Sequence, residues 1–291
     1  MRLIFLIVCH KKTPALIYNL EKFSKFENCH VIVHIDKKSH LLPSDLVISK
    51  NIHYYENPTV VKWGGFSQIQ VTYNLLKYID HMDYDYVSLM SGEDVFIRSQ
   101  EAFNCFLKSN NLFDFVGFCR SDGDLYNPID RVQYCYPFYF FNRDKSKIYS
   151  CLRRITFFMF SLGLFKNKAT PYKRFCKGSN WFTIRKSTSS LIVDEVDNKK
   201  LLDFYKNSFC ADEVFVQTII YNNCMLDSVY DFFNYDDNRM SLRYVDWKSG
   251  PDFPKVLTIS DLESEFPKDV FFIRKICSSV KVSELNKLFG L

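Results

Sequence analysis

Residues 2–36 read RLIFLIVCHKKTPALIYNLEKFSKFENCHVIVHID. Leu3 to Cys9 is a run of seven apolar residues, three of them Ile or Val, that ends in a polar turn. A short β-branched run with such a boundary predicts a strand buried on both faces. PALIYNLEKFSKF (14–26) follows with apolar residues at helical spacing, and HVIVHID (30–36) is a second buried strand. Strand, crossover helix and strand form the unit from which parallel sheets are built.

The alternation continues outward. IHYYE (52–56) is a short strand, and SQIQVTYNLLKYI (67–79) is a helical pattern after Gly64 and Gly65. DYVSLM (85–90) and FDFVGFC (113–119) are strands on either side of the helix EAFNCFLKS (101–109). The second half is less regular. It holds a Tyr/Phe cluster, YCYPFYFFN (134–142), and an apolar stretch with basic flanks at 151–168. GSNWFTI (178–184) predicts a strand, and RKSTSSLIVDEVDN (185–198) and DEVFVQTIIYN (212–222) predict helices. LRYVDW, PKVLTISDLE and FFIRKIC complete the chain. The fold class expected is α/β, with a mostly parallel central sheet flanked by helices. No linker or repeat interrupts it, so a single domain over 1–291 is expected.

Composition narrows the function. The chain has 291 residues, 47% of them hydrophobic, with a net charge of +5. That excess is too small and too dispersed to indicate nucleic acid. GxGxxG, GxxxxGK[ST] and GxSxG are all absent, which argues against dinucleotide enzymes, P-loop NTPases and α/β-hydrolases. Ten Cys occur without a CxxC pair, mostly in apolar runs. They read as buried free thiols of a reducing compartment rather than zinc ligands. The amino-terminal run reads as a strand rather than a signal peptide. No run approaches the roughly eighteen apolar residues of a membrane span, so a cytoplasmic protein is expected.

In open parallel sheets, ligands sit beyond the carboxyl ends of the strands. The polar residues there are His10 and Lys11, Asp36 to Lys38, Trp63 to Ser67 and Ser91 to Asp94. Asp36 is placed to accept hydrogen bonds from a base or ribose. Trp63 offers a flat apolar face beside Gly64 and Gly65, whose backbone can approach a ligand closely. Glu93 and Asp94 are adjacent rather than an Asp-x-Asp pair, so their side chains diverge and a shared cation is disfavoured. Asp94 is expected to bind a sugar hydroxyl or to cap the helix at 99–108. Asp212 and Glu213 stand together at the start of an apolar helix.

In order, HKK, VHIDKKS, VKWGGFS, SGEDVFI, GSNWF, SFCADEVFVQT, RYVDW and PKVLT resemble the core-2/I-branching β-1,6-N-acetylglucosaminyltransferase family. That family also contains the peptide O-xylosyltransferases and bacterial members. The resemblance runs from His10 to about Lys275 and is weak near 120–170. It implies a GT-A-like fold and an inverting transfer from a UDP-sugar without a metal ion. UDP-N-acetylglucosamine is the first donor implied and UDP-xylose the second. Residues 1–118 would bind the nucleotide-sugar, through His10, Asp36, Trp63, Gly64 and Gly65. Residues 119–291 would bind the acceptor and hold the catalytic groups.

The resemblance makes Glu213 the base that takes the proton from the acceptor hydroxyl, with Asp212 capping its helix or orienting the site. Arg243 and Lys275, with Arg274 beside the latter, would hold the departing diphosphate in place of a metal. Glu93, Asp94 and Trp181 would contact donor or acceptor sugar. The acceptor implied is a glycan or lipid-linked glycan of a bacterial surface polysaccharide. Residues 153–168, apolar between basic flanks, suggest peripheral contact with the inner face of the membrane. The alternative is a non-catalytic nucleotide-sugar or glycan-binding protein on the same fold.

Overall fold

The computed structural model describes residues 1–121, 123–142, 146–167, 170–251 and 253–290. Strand β1 (Leu3–Cys9) and strand β2 (Cys29–Ile35) pair in parallel, joined by helix α1 (Pro14–Phe23). Pro14 opens that helix, and the Thr13 hydroxyl caps it by accepting from the Leu16 amide at 3.0 Å. Strand β3 (Ile52–Tyr54) adds beyond β2, again parallel. The chain then crosses back through helix α2 (Ser67–Ile79), and strand β4 (Tyr86–Ser91) pairs in parallel with the other side of β1.

A turn leads to strand β5 (Val95–Phe96), helix α3 (Gln100–Ser109) and strand β6 (Phe115–Val116). The cap of α3 is the Ser99 hydroxyl rather than Asp94. The hairpin of β7 (Arg120–Ser121) and β8 (Asp124–Leu125) precedes the short helix α4 (Ile129–Gln133) and the surface helix α5 (Lys147–Ser161). Strand β9 (Phe182–Arg185) enters between β4 and β6, antiparallel to both. The central sheet therefore runs β3-β2-β1-β4-β9-β6 and is mixed, though mostly parallel.

Helices α6 (Lys186–Lys199), α7 (Leu201–Tyr205), α8 (Asp212–Asn222) and α9 (Asp237–Met240) follow. A smaller sheet orders β10 (Arg243–Val245), β11 (Phe272–Arg274) and β5. Helices α10 (Ile259–Leu262) and α11 (Val282–Phe289) lie on either side of β11 in the sequence.

Side-chain alternation along β1 explains the layers. Leu3, Phe5 and Ile7 share one core with Leu16, Leu20 and Phe23 of α1 and with Phe103 and Leu107 of α3. Ile4 and Leu6 face the other core, with Ile69 and Leu75 of α2, Ile192 of α6 and Val214 and Ile219 of α8. Both faces are covered, as the continuous apolar strands require. This is the α/β, GT-A-like arrangement that the resemblance implies. All ten Cys are free, but only Cys9, Cys29 and Cys176 are buried, against the expectation that most would be. No helix among the described residues is long and apolar enough to cross a membrane.

Candidate active site

The order β3-β2-β1-β4 reverses direction at β1, which opens a crevice at the carboxyl ends of β1 and β4. His10 and Lys11 leave β1 there, and Glu93 follows β4. Because β9 is antiparallel, with Phe182 opposite Leu89, the Gly178–Trp181 segment that enters it lies at the same end. Arg274 and Lys275 arrive from the end of β11. The result is a cleft of about 1120 Å³ lined by residues from all of these segments and by Asp212 and Glu213 of α8.

Helix α8 is anchored as its apolar sequence predicts, with Val214 to Ile220 buried. Polar bonds then fix its register against the strand entering the cleft. The Gly178 amide donates to the Glu213 carbonyl at 2.9 Å, and Gln217 Nε2 donates to the carbonyls of Gly117 and Ser179. Gly178 must be glycine: a Cβ there would stand 1.7 Å from the Gly117 carbonyl oxygen. Glu213 lies in the first turn. Its Oε2 accepts from Arg131 Nη1 at 2.6 Å and faces Lys177 Nζ at 3.5 Å. Burial opposes the charge on both cations, but Glu213 outweighs it and holds each above its usual value.

Asp212 is not the helix cap, since the cap position is Ala211. Its carboxylate is buried on the cleft side, and Oδ1 has no hydrogen-bond partner among the described residues. Burial, reinforced by the neighbouring Glu213, raises it to about 7. An unfolded Asp ionises near 4. From about pH 4 to 7 the folded chain therefore holds a proton that the unfolded chain has lost. The contribution of Asp212 to stability is complete below that window and is lost as pH rises through it. Asp212→Asn should remove this slope, so the variant gains on wild type by up to a few kcal/mol across the window. Melting temperatures of both proteins over that range check it, and a constant difference between them contradicts it.

The cationic corner is assembled by strand pairing. Ile273 of β11 lies opposite Val95 of β5, which sets Arg274 against Asp94. Arg274 Nη1 donates to Asp94 Oδ1 at 2.6 Å and to Ser91 Oγ at 2.5 Å, and its guanidinium covers the Trp181 ring at 4.9 Å. Lys275 and Lys11 flank Glu93 at 2.9 and 3.0 Å. Burial disfavours the charged Glu93, but the two lysines prevail and hold its carboxyl below its usual value. His10 stands nearby, lowered by burial against the pull of Glu93.

Several sequence expectations change here. Arg243 does not line the cleft. It is 0% exposed, donates to the carbonyls of Ser241 and Leu89 at 2.8 and 2.5 Å, and lies over the Phe272 ring. Burial draws its guanidinium below its usual value, with Asp94 opposing. Asp94 is also fully buried and accepts from Ser91 and Arg274, so it holds a cation rather than a sugar hydroxyl. Asp36 is buried and accepts from the Lys38 and Val61 amides at 3.1 and 3.3 Å; it organises its loop and is absent from the cleft lining.

Gly64, with φ of +65°, brings the chain against Phe209 and Cys210 rather than against a ligand. Gly65 likewise packs within its own turn. Trp63 lines the cleft, as do His10, Glu93, Trp181, Asp212, Glu213, Arg274 and Lys275. Trp181 has one face taken by Arg274, so the exposed aromatics of the cleft are Trp63, Trp247 and Phe253.

Sequence reading missed Arg131, Lys177 and Asp237. Lys177 stood directly before the recognised GSNWF, which was its only signal, and Arg131 lies where the resemblance is weak. Among the described residues no group of three or more His, Cys, Asp or Glu could hold a metal ion.

Residues 3–270 match the family model described as Core-2/I-Branching enzyme. No curated protein matches the chain. Among solved structures, the crystal structure of S. aureus TarS is similar over 66% of this chain and 30% of that one, at 11% identity and a TM-score of 0.32. The chain thus spans under a third of that relative, a likeness too loose to bear on site or substrate.

Proposed function

The chain belongs to the Core-2/I-branching enzyme family of glycosyltransferases, and on that premise we propose that it is an inverting transferase that works without a divalent cation. It moves a sugar, N-acetylglucosamine before xylose, from a UDP-sugar to a glycan hydroxyl. The supporting observation is that one cleft is lined both by the half-buried Glu213 carboxylate at a helix start and by a cationic corner at the end of β11.

Arg274 and Lys275, which both line the cleft, hold the diphosphate in this reading. Two cations aimed at the leaving group stabilise its growing charge, the role a metal would otherwise fill. Glu213 takes the proton of the acceptor hydroxyl as its oxygen bonds to the anomeric carbon. The bond to UDP breaks in the same event, and its electron pair leaves on the diphosphate. Trp63, Trp247 and Phe253 offer flat apolar faces to sugar rings.

Calorimetric titration with UDP and UDP-N-acetylglucosamine tests the donor half of this reading. Binding is expected to persist in EDTA and to weaken about tenfold or more in Lys275→Ala, the loss of one charge-assisted contact. Absence of UDP binding, or binding only with manganese, overturns it.

A further inference from the structure

Helix α5 turns most of its apolar surface away from the protein. Of its fifteen residues only Thr156 and Phe160 are buried. At about 100° per residue, Ile148, Leu152, Ile155, Phe158 and the capping Leu162 fall within about 120° of one another, on a different flank. Ile148, Phe158 and Leu162 are 73%, 65% and 62% exposed. Leu164 and Phe165, in the turn that follows, are exposed as well. Scattered exposed apolar residues are ordinary, but a continuous stripe along one helix marks a surface that something covers.

Charge indicates what covers it. Lys147 and Arg154 border the stripe and are exposed, and exposed Lys166 closes the turn. From Lys145 to Val193 the sequence has eleven Lys or Arg and no Asp or Glu. A protein partner would need an apolar groove with an acidic rim. An anionic bilayer supplies acyl chains beneath a layer of negative headgroups over any area, which suits a helix lying in the interface.

The helix also has a fixed place relative to the cleft. Phe160 packs on Tyr136 and Phe140, and both rings reach Phe209 at 5.3 and 5.9 Å. Phe209 meets Trp63, at the cleft, at 5.9 Å, and its amide donates to the carbonyl of Arg131, the residue that holds Glu213. We propose that α5 and the turn after it seat the protein on an anionic membrane surface, so that the cleft receives acceptors carried by that membrane. The acceptor clause rests on the reading of Glu213 above; the membrane contact does not.

Co-sedimentation of the full chain with phosphatidylglycerol–phosphatidylcholine vesicles, and with phosphatidylcholine vesicles, tests the contact. Binding to the anionic vesicles is expected, with weaker binding to the neutral ones. Ile155→Ser/Phe158→Ser should lower the partition coefficient about tenfold or more. Lys147→Glu/Arg154→Glu should lower it about tenfold on anionic vesicles only. Each change is at an exposed position, and unchanged melting temperatures verify the fold. Wild type that stays in the supernatant overturns the proposal, as does a serine variant that binds undiminished. A wild-type dimer that the serine variant abolishes, without vesicle binding, assigns the face to a second copy instead. UDP titration of the same samples reads the donor site separately, so failure of one reading leaves the other decided on its own.

Discussion

Glu213→Gln is expected to lower the rate of sugar transfer by about 10³-fold while UDP binding stays within a few-fold of wild type. Glutamine keeps the size of the side chain and an oxygen that can accept from Arg131, so the 2.6 Å contact has a replacement. It cannot take a proton. The loss should therefore fall on kcat rather than KM, as it does when an interaction of the transition state alone is removed.

The surroundings of Glu213 bear on this expectation in two ways. Arg131 and Lys177 both meet Oε2, so they orient the carboxylate and leave Oε1 to face the acceptor in this reading. Asp212, one residue earlier, is raised to about 7 by burial and has an oxygen without a partner. Transfer rates of Glu213→Gln and Asp212→Asn, measured together, separate the two. Near wild-type transfer by Glu213→Gln with collapse in Asp212→Asn would move the base by one residue. Full transfer in both would remove general-base catalysis by this pair.

The order of elements was legible because burial on two faces leaves a plain record. Leu3 to Cys9 is an unbroken apolar run, Val31 to Val33 is a shorter β-branched one, and both became central strands. The antiparallel entry of β9 left no such record, because GSNWFTI reads alike in either direction. Carboxylates were found where they stand at the ends of apolar elements, as at Glu93 and Glu213. Cations were harder to place: the chain has 38 Lys and Arg, and a strand of three residues does not reveal which face is covered. Arg243 is the case in point. Its strand turns the guanidinium under the Leu89 carbonyl, whereas Arg274, in a strand equally short, meets the cleft. Arg131 lies 82 residues from its partner, within irregular chain, and only the fold brings them together.

Arg274→Ala is expected to cost about 3–5 kcal/mol of stability as well as donor binding, because it removes the cation paired with a buried carboxylate. Asp94 is 0% exposed, and its remaining donors are the amide and hydroxyl of Ser91. Arg243 is close enough to be stabilised by Asp94, but its hydrogen bonds go to the backbone carbonyls of Ser241 and Leu89. Thermal unfolding measures the first cost, and UDP titration below the melting temperature measures the second. Asp94→Asn combined with Arg274→Ala separates them, since it removes the unpaired charge without restoring a cation to the cleft. Much of the stability should return in the double variant while UDP binding stays weak. Lys275→Ala provides the converse, weakening UDP binding with little change in melting, because its partner Glu93 lines the open cleft and keeps Lys11. If the double variant regains UDP binding along with stability, Arg274 served the diphosphate only by holding the turn from Ser91 to Asp94. The cationic role would then rest on Lys275 and Lys11.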